Sequence, residues 1–140
     1  MIKDYLRSVR KLKLDIEAKK RERDTLYMTL TGTTIRPKEV DVQTSVGGDV
    51  FGDRMAIVAD YDRELEEEII NLIREQHKAN QIINTLTVAE YRAVLTDYYI
   101  NGYTWLKVAE LNGYALRTVH KIHGTALKNL KECTLLHYDM

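Results

Sequence analysis

TWLKVAELNGYALRTVHKIHGTALKNL, residues 104–130, decides the fold. It reads as two short helices joined by a tight turn. The Thr104 hydroxyl can accept from a backbone N–H otherwise left unpaired in the first helical turn. Trp105, Val108, Ala109 and then Leu111 or Asn112 recur at three- and four-residue spacing, an apolar stripe along one helix face. Ala109 is small where the second helix has to cross closely. Gly113 takes positive φ without steric cost, so Asn112-Gly113 is expected to stop the first helix. The second helix is expected to start near Ala115 and to bury Val119, Ile122, Ala126, Leu127 and Leu130. Its other face shows Arg117, Thr118, His120, Lys121, Thr125 and Lys128. The economical reading is a helix-turn-helix whose second helix reads DNA. The expected DNA-contacting residues are Thr104, Leu116, Arg117, Thr118, His120, Lys121, Thr125 and Lys128.

The same stretch resembles the C-terminal helix-turn-helix (region four) of bacterial sigma factors. More closely, it resembles the sigma-like domains of small phage transcriptional regulators of the ArpU and RinA type. Thr104, Trp105, Val108, Ala109, Gly113, Tyr114, Val119, Ala126, Leu127 and Leu130 carry the likeness. Asn112 stands where that pattern has Leu, and Ala115 where it has a capping Ser. Asn112 is therefore expected to be a defect in a core-facing turn position that Leu would repair. The resemblance implies an activator that binds promoter DNA in a bacterial host cell, with RNA polymerase as a further partner.

The chain of 140 residues has balanced charge, 21 Lys and Arg against 21 Asp and Glu. There is thus no overall basic pull towards nucleic acid, but the charge is segregated. Between 115 and 131 lie Arg117, Lys121, Lys128 and Lys131 and no acid, the local footprint that a DNA reader needs. The bland reading of that patch alone is a solvated helix face; its coincidence with the helix-turn-helix pattern favours DNA.

Upstream, residues 2–30 read as a long amphipathic helix with Ile2, Tyr5, Val9, Leu12 and Ile16 on its seam. Lys19, Lys20, Arg21 and Arg23 read as a solvated charged face. From about Asp53 to Asn84 a second long helix carries Tyr61, Leu65, Ile69, Leu72, Gln76, Ala79, Ile83 and Leu86. Glu64, Glu66, Glu67 and Glu68 read as a solvated face opposite this seam, and also offer a partner for the basic first helix. Between them, residues 31–52 break every periodicity, and Gly47-Gly48-Asp49 reads as a turn. Gln43-Thr44-Ser45 followed by Gly48-Asp49 also resembles the linkers of the small phage proteins, which extends the likeness to nearly the whole chain. Thr87-Val88-Ala89-Glu90 has the form of a capping box. The helix it opens is expected to turn Val88, Tyr91, Val94, Leu95 and Tyr98 inward and to stop at Asn101-Gly102.

The expected fold is therefore all-α. A long-helix coiled-coil hairpin over 1–86, with a flexible loop at about 31–52, precedes a three-helix sigma-like helix-turn-helix domain over 87–140. The two seams are too long for the small C-terminal core to cover, so a homo-oligomer, most simply a dimer through the N-terminal helices, is expected. A complete sigma factor is not expected, because promoter melting needs a basic, aromatic-rich domain that stacks single-stranded bases.

Other chemistries find little support. His120 and His123 lie three apart, and Cys133 and His137 four apart. The pairs are separated along one helix and the first shares the DNA face, so no metal is expected. Spacing suggests no Ser–His–Asp set, and paired carboxylates fall on the solvated Glu face, so neither an enzyme nor a cofactor is expected. Nine tyrosines sit mostly at apolar helical positions and read as core. Cys133 is the only cysteine, which fits a reducing cytoplasm. No apolar run approaches the ~20 residues of a membrane span. Two rival readings stay open: a DNA-packaging oligomer like a phage terminase small subunit, and a helical protein-interaction module that binds no DNA.

Overall fold

The computed structural model describes residues 2–31 and 47–138, with side-chain surroundings over 2–30 and 50–131. The regular elements among these residues are all helices, without a strand: α1 (Ile2–Thr31), α2 (Gly47–Ile83), α3 (Ala89–Leu95), a single π-helical stretch (Thr96–Ile100), α4 (Trp105–Asn112) and α5 (Leu116–Tyr138). The expected loop at 31–52 lies mostly outside the described residues. Its end, Gly47 to Gly52, is helix and not turn, so α2 starts about two turns before Asp53. Glycine costs a helix least at its end, where the first N–H groups have no partner inside the helix anyway.

The chain forms two compact units, one of Asp15–Ile70 and one of Met1–Leu14 with Asn71–Met140. In the first, Ile16 of α1 and Val58 and Leu65 of α2 are buried. Lys19 pairs with Glu68, and the Arg23 guanidinium forks onto Asp62 at 2.5 and 3.1 Å. Position 19 thus meets 68 and position 23 meets 62, so the two helices run in opposite directions there. The Arg23 fork holds the Asp62 carboxyl below the usual carboxylate range. Lys19 and Arg23, read from sequence as a solvated face, are thus taken up by acids of α2, Lys19 by Glu68 of the acidic run and Arg23 by Asp62 outside it.

The second unit is built on one core. Leu6 and Val9 of α1, Ala79 and Ile83 of α2, Leu86, Leu95, Tyr99, Ile100, and Ala126 and Leu130 of α5 form a single buried cluster. Val58, Leu65, Leu72, Ala79 and Leu86 are all buried and fall at seven-residue intervals, the spacing of a helix–helix seam. Leu65 and Leu72 are thus buried within the chain itself, while Ile57, Ile70 and Ile73 of the same helix are exposed. Leu6, absent from the expected seam, is fully buried because it lies on the same helix face as Ile2, Tyr5 and Val9, at the i, i+3, i+4, i+7 spacing.

α3 departs from expectation in two ways. Its N-cap is Val88, in extended conformation and without a side-chain cap, so the Thr87–Glu90 box does not form. Arg92 instead donates to the Leu86 carbonyl at 2.7 Å, tying the connection back onto the helix. At its other end the backbone widens: the Asn101 N–H bonds back to the Thr96 carbonyl, five residues away, and the Tyr103 N–H to Asp97. This π stretch takes in an extra residue and shifts the inward face. Tyr99 and Ile100 are buried, and Tyr98 is only half-buried. Three side-chain bonds from the long helices serve the carbonyls in this region. Gln76 reaches Ile100 at 3.0 Å, and Arg10 reaches Tyr98 and Tyr103 at 3.1 and 3.2 Å. Carbonyls at a helix end need partners of this kind. The chain then turns on Gly102, at φ 74°, where an added Cβ would lie 3.2 Å from the Lys13 side chain.

Asn112 is not the defect that the resemblance implied. It is half-buried, and its amide donates to the Val108 carbonyl at 2.8 Å and to Asp97 at 3.0 Å. The other Asp97 oxygen accepts from Asn101 at 3.1 Å, so one carboxylate joins the end of the π stretch to α4. Leu cannot donate. Asn112→Leu is therefore expected to lower stability by about 1–2 kcal/mol, read by urea denaturation, because Asp97 loses one of its two side-chain donors.

Candidate nucleic-acid interface

The join between α4 and α5 follows from three residues. The Thr104 hydroxyl accepts from the Lys107 N–H at 3.2 Å and caps α4. Gly113, at φ 71° and ψ 30°, ends it in the left-handed conformation. The Tyr114 N–H returns to Ala109 at 3.0 Å and the Gly113 N–H to Glu110 at 3.4 Å. That pair of bonds satisfies the last carbonyls of the helix, and it is closed by an apolar contact. Tyr114 packs against the cluster of Val94, Val108, Ala109 and Val119 that locks α3, α4 and α5 together. Ala109 is buried in that cluster, where its small side chain lets α5 come close.

Asn112, not Leu111, is the inward residue at the end of α4; Leu111 is exposed. On α5, Val119, Ala126 and Leu130 are buried and Ile122 and Leu127 half-buried. The helix begins at Leu116, one residue after the expected start.

Every residue expected to contact DNA is exposed: Thr104, Leu116, Arg117, Thr118, His120, Lys121, Thr125 and Lys128. At about 100° per residue, Arg117, Lys121 and Lys128 share one line along α5, opposite buried Val119 and Ala126. Thr118 and Thr125 flank that line on one side and His120 on the other. Among the described residues, no carboxylate pairs with Arg117, Lys121 or Lys128. Thr104 stands apart from this line, occupied as the cap of α4.

Behind the face lies a set of rings that the spacing of residues did not disclose. Trp105 stacks on Tyr98 at 3.6 Å, nearly parallel, and the Arg10 guanidinium lies 4.1 Å over the same Tyr98 ring. His123 meets Trp105 edge-on at 4.6 Å, and His120 meets it at 4.9 Å. The Tyr99 hydroxyl and His123 Nε2 are 2.7 Å apart. Burial, the neighbouring Lys3 charge, His120 and Arg7 together push the His123 pKa down to about 4, and burial pushes Tyr99 up to about 12. At neutral pH the tyrosine therefore donates and the neutral imidazole accepts. This bond joins α5 to the π stretch on the same side as buried Ala126 and Leu130, whose packing sets where the exposed line points.

This has a consequence for pH. The folded chain refuses a proton at His123 that the unfolded chain accepts below its ordinary value of 6.5. Stability from this group is fully present above about 6.5 and is lost as pH falls from there towards about 4. The melting temperature is expected to fall across that window, and the fall should be shallower in His123→Gln.

Among the described residues no three His, Cys, Asp or Glu side chains gather as metal donors. The side chains of Cys133 and His137 lie outside the described residues. No described helix is long and apolar enough to cross a membrane. Compared with protein-family models, curated proteins and solved structures, the chain finds no match.

Proposed function

We propose that this chain is a sequence-specific double-stranded DNA-binding protein. In this reading α4, the turn at Gly113 and α5 form a helix-turn-helix, α5 enters the major groove, and α1 with α2 forms a long coiled-coil hairpin. The observation that carries the proposal is the exposed line of Arg117, Lys121 and Lys128, unpaired among the described residues and set opposite the buried face of α5. Cations left without carboxylates on one helix face suit a polyanion, and Arg and Lys are the side chains that read guanine edges. The sigma-like pattern of residues 104–130 directs the proposal to transcriptional control by a phage or prophage protein.

Titration of fluorescent duplexes tests the division of labour along α5. Arg117→Ala and Lys121→Ala are expected to cost about 1–3 kcal/mol each and to relax preference at one position. Lys128→Ala should weaken all sequences alike and flatten the slope of log K against log salt by about one. Equal binding by all three variants and the native chain would remove α5 as the reader.

One observation favours a second reading. Leu106, Leu111 and Leu116 are exposed on α4 and at the start of α5, as in a surface that meets protein. In the proposed role RNA polymerase is the natural partner for them. In a pure protein-interaction module they would be the whole function, and the chain would show no salt-dependent affinity for duplex DNA.

A further inference from the structure

The first turns of α1 belong to the same compact unit as α5. Leu6 and Val9 are buried in one cluster with Ala126 and Leu130, and Ile2, Tyr5 and Leu127 pack against that cluster. This packing puts α1 along the side of α5 that carries His123 and Leu127. Turning round α5 from there at about 100° per residue, His120 and Lys131 come next, and then the line of Arg117, Lys121 and Lys128.

On α1 itself, Lys3, Arg7 and Arg10 recur at spacings of four and three, which is one helix face. Arg10 is committed: it binds the carbonyls of Tyr98 and Tyr103 and lies over the Tyr98 ring. Lys3 and Arg7 are exposed, and among the described residues neither meets a carboxylate. Both are near enough to His123 for their charges to act on its titration. The cationic surface therefore does not end at the edge of α5.

We propose that Lys3 and Arg7, held beside α5 by Leu6 and Val9, bind the phosphate backbone of the duplex that α5 reads. This rests on the DNA-binding reading above and extends its site to the other end of the chain. Cations beside a reading helix fix its register on the duplex without reading sequence themselves. The contribution of Lys3 and Arg7 should accordingly be alike for all sequences and strongly dependent on salt.

The test is a salt titration of duplex binding by the full chain, native against Lys3→Gln/Arg7→Gln. The slope of log K against log salt is expected to become shallower by about two, one for each lost phosphate contact. The preference among sequences should stay unchanged. Lys3→Arg/Arg7→Lys should keep the native slope, which separates charge from any effect on folding. An unchanged slope in the Gln variant, with Lys128→Ala still lowering it, would overturn this inference and leave the reading of α5 in place. Flat slopes in the native chain and all variants would overturn both, and a slope seen only with single-stranded RNA would replace duplex DNA as the partner.

Discussion

Tyr99→Ala is expected to be the most damaging single change in the unit that carries α5, costing about 3–5 kcal/mol by denaturant titration, as other core aromatic-to-alanine changes do. Among the described residues Tyr99 is the largest of the fully buried side chains. It sits in the cluster that joins α1, α2, α3 and α5, and its hydroxyl is the partner of His123 Nε2. Truncation thus opens a cavity and leaves a half-buried imidazole nitrogen without its donor. Tyr99→Phe separates the two effects. It keeps the ring and removes only the hydrogen bond, so a loss of about 0.5–1.5 kcal/mol is expected. A Phe variant as damaged as the Ala variant would mean that the hydroxyl, not the packing, dominates.

The second large effect is on binding. Arg117→Ala/Lys121→Ala/Lys128→Ala is expected to lose duplex affinity by roughly thirty-fold to twenty-thousand-fold, from two base-reading cations at about 1–3 kcal/mol each. The loss at Lys128 adds to this, most strongly at low salt. All three side chains are exposed and unpaired among the described residues, so the melting temperature should scarcely change. That contrast separates a binding defect from a folding one. Lower affinity with an unfolded triple variant would say nothing of DNA contact, and the single variants then decide.

Much of the α4–α5 join was legible in the sequence, because it depends on residues whose roles are local. Thr104 as a cap, Gly113 in the left-handed conformation and the small Ala109 each follow from backbone geometry within one helical turn. The heptad spacing of Leu65, Leu72, Ala79 and Leu86 was equally plain. What covers those positions was not, since an apolar stripe does not say whether its partner lies in the same chain. Asn112 reads as a defect in the sequence because its decisive acceptor, Asp97, is fifteen residues away on another element. Tyr99 was missed in favour of Tyr98 because a period of 3.6 residues cannot foresee the extra residue of a π stretch. That stretch is stabilised by Arg10 and Gln76, which come from distant parts of the chain. The capping box at Thr87 does not form because α3 starts one residue later, after Val88, and Arg92 reaches back six residues to the Leu86 carbonyl.

The exposed line on α5 was legible as a pattern of charges, and its exposure follows from the buried positions of Val119, Ala126 and Leu130. Lys3 and Arg7 could not be added to it from sequence. They stand more than a hundred residues away from α5, and only the shared core of Leu6, Val9, Ala126 and Leu130 brings the two helices together.

The central claim is that α5 reads duplex DNA, and selection from a random duplex pool by the full chain, at about 0.1 M salt, tests it most directly. The account predicts enrichment of a common short sequence, affinity that falls steeply with salt, and loss of the enrichment in Arg117→Ala/Lys121→Ala. A pool that stays random after repeated rounds, with binding insensitive to salt, would contradict it.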